Sequence, residues 1–233
     1  MNKFLSKKGL VFLLLFLVLS IVSMRINFSK LIGAENQFFT LFQFFGPVAG
    51  GFLGSAYGVI TVLLAQLLDF LLSGKQLTLL NITRLSPMLF AAYYFSQYKK
   101  RDFNDKFAIV ISALAILIFW LHPIGQQAWY FALFWTIPII AKFLPDWLIL
   151  RSFGSTFTAH AIGGAIWVWT VPMTAAQYAL LVPVVIFERT LFAIGIGVSY
   201  FIFTHLLSMV DKATNGEISK FLNIEKYKMF NIQ

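Results

Sequence analysis

The sequence predicts an all-α protein, a polytopic bundle of six to eight transmembrane segments, and three observations lead to this class. Of the 233 residues, 59% are hydrophobic and only 12% are charged, too few charges to cover a soluble domain of this size. The mean hydropathy is +0.81. Apolar windows of about 15 to 25 residues match the length of a membrane-crossing helix and lack the alternation of a β-barrel strand.

The apolar segments follow one another along the whole chain. The first, 9–24, comes after lysines as a secretory signal does, but it lacks a small-residue cleavage site and further segments follow. We therefore expect it to be a retained helix. The other segments cover 37–48, 50–72, 79–98, 107–122, 126–144, 155–172 and 178–209.

Length and charge together place breaks between these segments. The run 38–72 is too long for one ordinary span, and its FFGPVAGG stretch supplies Gly and Pro residues that end helices. Basic residues at the N-terminus, at 99–106 and in the tail belong in the cytoplasm, so an even number of crossings separates them. An even number of crossings also requires the run 107–144 to be two segments, which divide at HPIGQQ. We predict a multi-pass protein of the cell membrane with both termini cytoplasmic, a transmembrane domain over 1–210 and a basic cytoplasmic tail over 211–233.

Several classes of function are excluded or disfavoured by what the sequence lacks. With no cysteine there is no disulfide or thiolate metal site, and the three histidines have no metal-ligand spacing, so we expect neither metal nor cofactor. No G-x-x-x-x-G-K-[ST], G-x-S-x-G or H-E-x-x-H motif is present. The net charge of +9 fits cytoplasmic loops that contact lipid phosphates better than it fits nucleic-acid binding.

Charged residues inside apolar segments are costly and normally face a partner or a cavity. Glu188 and Arg189 are helix neighbours whose side chains diverge by about 100°, so each needs its own partner. Two interpretations stay open: either Pro183 shifts the helix start and places the pair near the headgroups, or the pair lines a polar cavity and touches a ligand. Arg84 has two interpretations as well, an anion anchor or a side chain that extends to the membrane surface, and Asp69 is expected at an interface.

The stretch STFTAHAIGGAIWVWTVP is the richest window of polar and aromatic residues. Its hydroxyls and tryptophans fit helix packing and the membrane interface. The alternative is a ligand chamber in which rings such as that of Trp167 stack on a flat organic molecule, while His160 and a cation or carboxylate fix its orientation. Asn36, Gln43 and Trp129 are expected to contribute to the same chamber.

Gly50, Gly54 and Gly58 recur every four residues. On a straight helix they share one face, which allows a neighbouring backbone to approach closely. That face serves either packing within the chain or docking of another subunit.

The region FFTLFQFFGPVAGGFLGSAYGVITVLLAQLLDFLLSG resembles the substrate-binding S components of energy-coupling factor (ECF) transporters. Members of that family often carry a G-P-x-x-G-x-x-x-G stretch and an acidic residue near the end of the next helix. The final helix is similar too, with a proline, a charged position and a small-residue run, here AIGIGVSYFIF. The matching positions are Gly46, Pro47, Gly50, Gly54, Asp69, Pro183 and Glu188.

The resemblance implies capture of a vitamin or other small organic micronutrient rather than catalysis by this chain. It also implies a coupling transmembrane subunit and two ATPase subunits as partners, beside the membrane lipids. The eight apolar segments exceed the six of the family core, and the chain begins Met1-Asn2 instead of the Met-His of nickel and cobalt members, so no metal substrate is expected. With the charged positions added, the expected ligand-binding residues are Asn36, Gln43, Arg84, Trp129, His160, Trp167, Glu188 and Arg189.

Two other classes of function compete with the importer. One is a membrane-embedded enzyme in which His160 and Glu188 act as acid and base on a lipid or isoprenoid. The other is a scaffold without catalytic activity, in which the glycine faces bind partner helices.

Overall fold

The computed structural model describes residues 7–32, 38–97 and 106–224 and confirms the all-α class. A short antiparallel hairpin joins β1 (Asn27–Lys30) to β2 (Phe38–Thr40), and two 3₁₀ helices cover Leu41–Phe44 and Trp129–Thr136. The α-helices are α1 (Lys7–Met24), α2 (Val48–Leu72), α3 (Leu79–Thr83), α4 (Ser86–Gln97), α5 (Phe107–Leu121), α6 (Pro123–Gln127), α7 (Ile137–Phe143), α8 (Leu148–Thr170) and α9 (Ala175–Ala213).

Most predicted apolar segments coincide with helices, but three of the segments do not form one continuous helix. The segment 79–98 divides into α3 and α4, with Pro87 in the first turn of α4, where its missing N–H costs no hydrogen bond. The segment 126–144 holds a 3₁₀ helix followed by α7. Like α4, α7 has a proline in its first turn, Pro138. The described part of the segment 37–48, from residue 38 onward, holds β2 and a 3₁₀ helix, and α2 begins at its last residue.

The run 38–72 breaks at Gly46 and Pro47 as predicted, since α2 begins at Val48 directly after Pro47, and a second break that was not predicted lies at Gly54 inside α2. Gly54 has φ 78° and ψ 178°, a conformation that essentially only glycine adopts. In a straight helix, Gly50 and Gly58 lie about 12 Å apart. Here a Cβ added to Gly58 stands only 2.5 Å from the Gly50 Cα, so the two short backbone stretches fold against each other.

This bend corrects the expectation that Gly50, Gly54 and Gly58 share one face of one helix. Gly50 and Gly58 instead serve close packing within the chain, while a Cβ on Gly54 finds no atom within 4 Å. Docking of another subunit at these glycines stays a prediction.

Gly54→Ala is expected to destabilise the protein by about 2 kcal/mol, because alanine is strained at this φ and ψ. The cost comes from the backbone alone, since the added methyl group meets no neighbour. The measurement is the shift of the thermal unfolding midpoint in detergent. Gly163→Ala is the control: it lies inside α8 with its Cβ at 3.7 Å from Pro87 Cγ, and it should be neutral or stabilising. Equal midpoints for the two variants would contradict this prediction.

Two apolar cores organise the bundle. The first packs α1, α2, α4 and the second half of α9 around Phe42, Phe52 and Tyr200. The second packs α5, the 129–136 helix, α8 and the first half of α9 around Phe119 and Trp135. Because α9 has 39 residues, it is about 58 Å long and runs through both cores.

Within the described ranges, two helices, α2 and α9, are long and apolar enough to cross a membrane. In addition, α1 exposes a run of large apolar side chains, among them Leu14, Leu15 and Val18. Such a surface is typical of contact with lipid or with another protein. After α9 the chain turns back, and the Asn223 N–H donates to the Phe52 carbonyl oxygen over 2.9 Å.

Candidate ligand-binding site

A cavity of about 450 Å³ lies between the two cores. Its walls come from the β1–β2 hairpin, α2, α4, α8 and the middle of α9, with Phe131 added by the 129–136 helix. Both cores border it, the first through Met88 and the second through Tyr178. A volume of this size is typical of sites for small organic molecules.

Of the eight ligand-binding residues expected from the sequence, six border this cavity: Gln43, Arg84, His160, Trp167, Glu188 and Arg189. Asn36 falls within 33–37, outside the described residues. The structure corrects the expectation for Trp129, which is 55% exposed and does not border the cavity. In a 3₁₀ helix residues 129 and 131 point to different sides, and Phe131 is the one that borders the cavity.

Arg189 is a charged side chain of the wall that is buried without a hydrogen-bonded partner among the described residues. It is 2% exposed, and its Nε has no acceptor in the described part of the chain. The guanidinium lies 4.6 Å from the Phe39 ring centroid and 4.8 Å from that of Phe192. A buried polar group without a partner is costly, so this donor is suited to a guest in the cavity.

Glu188 stands beside Arg189 but pairs with it only weakly. Glu188 Oε2 is 3.9 Å from Arg189 Nη2, beyond hydrogen-bonding distance, as the divergence of neighbouring helix positions predicts. Pro183 lies inside α9, which begins at Ala175 behind a capping box. Glu188 is therefore about 20 Å from the helix start. Of the two interpretations left open, the geometry supports the one in which the pair lines a cavity.

His160 is held in a fixed orientation by the second core. Its Nδ1 accepts a hydrogen bond of 3.1 Å from Nε1 of Trp135, which is fully buried. The rings of Phe131 and Phe157 contact the imidazole edge-on. A neutral imidazole that accepts at Nδ1 carries its proton on Nε2. That N–H is the group which His160 offers to a guest.

An ionic cluster forms part of the cavity wall where α1 and α2 end. The buried carboxylate of Asp69 lies 3.2 Å from Arg25 Nη2 and 2.7 Å from Lys75 Nζ. Arg25 Nη1 also donates to Ser73 Oγ over 2.7 Å. The two cations are about half exposed, 47% and 49%, so the cluster joins the ends of two helices while remaining in contact with solvent.

Asp69→Asn is expected to destabilise the protein by about 1 kcal/mol, because two partly exposed ion pairs are lost and both cations can hydrate. The difference from wild type should shrink in 1 M salt, where screening acts within about 3 Å. Thermal unfolding at low and high salt measures both effects. Glu217→Gln, which removes a surface pair with Lys220, is the control and should change the midpoint little. A difference that does not depend on salt would contradict the ionic role.

Arg25, Lys30 and Lys75 also border the cavity, and they are not among the ligand-binding residues expected from the sequence. They lie in or beside the hairpin and the α2–α3 turn, which apolar periodicity does not reveal. Gln66 had a usable signal, since it is a polar residue in the middle of an apolar helix. Its Nε2 donates to the Leu85 carbonyl oxygen over 3.0 Å, which links α2 to the start of α4.

Comparison with known proteins adds one distant relative. The chain is 25% identical to an uncharacterized protein of Methanocaldococcus jannaschii, over 97% of this chain and 84% of the relative. No family model matches the chain. No solved structure matches it either.

Proposed function

We propose that this chain is the substrate-binding membrane subunit of an importer of the energy-coupling factor type, which captures a vitamin or another small organic micronutrient. The observation that carries the proposal is the cavity of about 450 Å³ with buried Arg189 in its wall. Aromatic rings, among them Phe39 and Trp167, provide stacking surfaces for the guest. Because the sequence has no Walker motif, ATP hydrolysis belongs to two ATPase partners, coupled through a further transmembrane subunit.

The proposed membrane arrangement extends beyond the two long apolar helices. Six to eight segments lie within the membrane of the cell, and both termini face the cytoplasm. The exposed apolar side chains of α1 support contact with lipid, and the apolar helix α5 is 15 residues long. A helix of that length covers about 22 Å, so it crosses only part of the hydrocarbon layer or is shielded by its neighbours.

Native mass spectrometry of the gently purified protein tests ligand capture. The expected result is a bound small organic molecule whose occupancy falls at least 10-fold in Trp167→Ala, because this ring borders the cavity. Trp169→Ala is the matched control on the same helix: Trp169 is 55% exposed and does not border the cavity, so occupancy should persist. Equal retention in both variants, or no bound molecule in wild type, would contradict the proposal.

The enzyme alternative rests on the same wall, because His160 and Glu188 both border the cavity. The two functions differ in the fate of the guest. A binding subunit releases the molecule unchanged, whereas an acid–base enzyme converts it. Incubating the protein with the identified molecule and finding a product, lost in His160→Ala, would replace the importer with the enzyme.

A further inference from the structure

We infer that the guest is a free organic anion with a planar ring system, whose carboxylate or phosphate is bound by Arg189. This inference rests on the proposed function for one premise, that the cavity captures a small molecule. The identity of the charged group follows from the side chains in the wall.

The charge of the wall favours an anion. Five basic side chains and two carboxylates border the cavity. The formal net charge of its wall is therefore +3. Clefts lined by one sign of charge concentrate ligands of the opposite sign. The basic residues are Arg25, Lys30, Lys75, Arg84 and Arg189, and the acidic residues are Asp69 and Glu188.

The pairing within the wall shows which charges remain available. Asp69 already has two cationic partners, Arg25 and Lys75, so it offers little to a cationic guest. Glu188 stands beside Arg189, which repels any cation that approaches its carboxylate. Arg84 forms no ion pair with any residue in the described ranges, so a second guanidinium is available.

The environment of Arg189 favours a planar acid. The guanidinium contacts the rings of Phe39 and Phe192, and its Nε–H is without an acceptor in the described ranges. A guanidinium binds carboxylate or phosphate through two parallel N–H donors, an arrangement that a lysine cannot reproduce. Since the Glu188 carboxylate is 3.9 Å away, Arg189 does not have to break a strong bond with it to bind a guest.

Four probes of similar shape distinguish the contribution of the charged group to binding from that of the aromatic ring. They are naphthalene-2-carboxylate, 2-naphthyl phosphate, naphthalene-2-carboxamide and 2-naphthylmethylammonium. Affinities for the purified full chain, stripped of any carried molecule in a neutral detergent, are measured by calorimetry. We expect at least one anion to bind 10-fold or more tightly than the amide, with the ammonium weakest.

Arg189→Gln is expected to remove the preference for the anion, and Arg189→Lys to restore only part of it, because the second donor is lost. Lys212→Gln is the matched control, since it removes the same charge from α9 at a position that does not border the cavity. The control should keep the wild-type preference. Thermal midpoints of the variants confirm that each is folded.

The outcomes separate this inference from the proposed function. One outcome would overturn the inference that the guest is an anion but leave small-molecule capture intact. In that outcome the carboxylate and the amide bind equally well, and their binding is unaffected by Arg189→Gln but lost in Trp167→Ala. Absence of binding by all four probes would overturn the inference, and absence of any molecule in native mass spectra would overturn the function as well. Displacement of the carboxylate by an equal concentration of dihexanoyl phosphatidylglycerol would assign the site to a lipid headgroup and overturn the free anion.

Discussion

Gly163→Leu is expected to lower the affinity of the cavity for its guest at least 100-fold while the bundle stays folded. Gly163 lies on α8 and borders the cavity, and a Cβ added there meets only Pro87 Cγ, at 3.7 Å. The remaining atoms of the leucine therefore extend into the space that the guest needs. A 100-fold loss corresponds to about 2.7 kcal/mol of binding free energy.

The measurement is the occupancy of the carried molecule in native mass spectra, followed by its affinity for the stripped protein. Gly163→Ala provides a graded step, with a smaller loss, because a methyl group occupies less of the cavity. Gly197→Ala is the control in α9: its Cβ meets Ser152 Oγ at 3.5 Å and it does not border the cavity. Full occupancy in Gly163→Leu would show that the guest binds elsewhere.

The sequence was informative about this site because charge inside an apolar segment is costly. Arg84 and Arg189 were selected on that ground alone, and Glu188 on that ground together with the family resemblance, and each of the three borders the cavity. Trp167 was selected from a polar and aromatic window and also borders it. Trp129 came from the same kind of argument but lies outside, because a tryptophan fits lipid, interface and interior alike.

The arrangement of the helices was harder to predict for a physical reason. Many large apolar side chains of the helices are exposed as well as buried, so apolar periodicity does not indicate which side of a helix faces inward. The bend at Gly54 was not predicted for a different reason. Glycine spacing of four residues fits a smooth helix face, and only the positive φ shows that Gly54 ends one helical stretch and starts another.

The ionic cluster was missed because it depends on pairing between distant parts of the chain. Asp69 was expected at an interface, but its partner Arg25 comes from the end of α1. The hairpin that brings the α1 end to the cavity has strands of four and three residues, too short for a strand pattern to be recognised. Contacts of this kind follow from the packed structure and not from local composition.

Gly50→Ala is expected to destabilise the protein by about 3 kcal/mol or more, the largest loss of stability among the glycine variants. A Cβ at this position overlaps the Ala92 carbonyl oxygen of α4 and stands 2.9 Å from the Ala92 carbonyl carbon. Backbone atoms cannot move aside as a flexible side chain does, so the two helices must separate. On its other side Gly50 contacts Gly58 across the bend in α2, which blocks the opposite movement.

This separation should also weaken ligand binding, because both helices border the cavity, α2 through Gln66 and α4 through Met88. A loss of 3 kcal/mol lowers the thermal midpoint by about 6 to 12 °C in a chain of this size. Gly197→Ala, whose Cβ has room at 3.5 Å, should leave the midpoint almost unchanged. A wild-type midpoint in Gly50→Ala would mean that α2 and α4 do not approach at this glycine. The cavity that these helices enclose would then need a different wall.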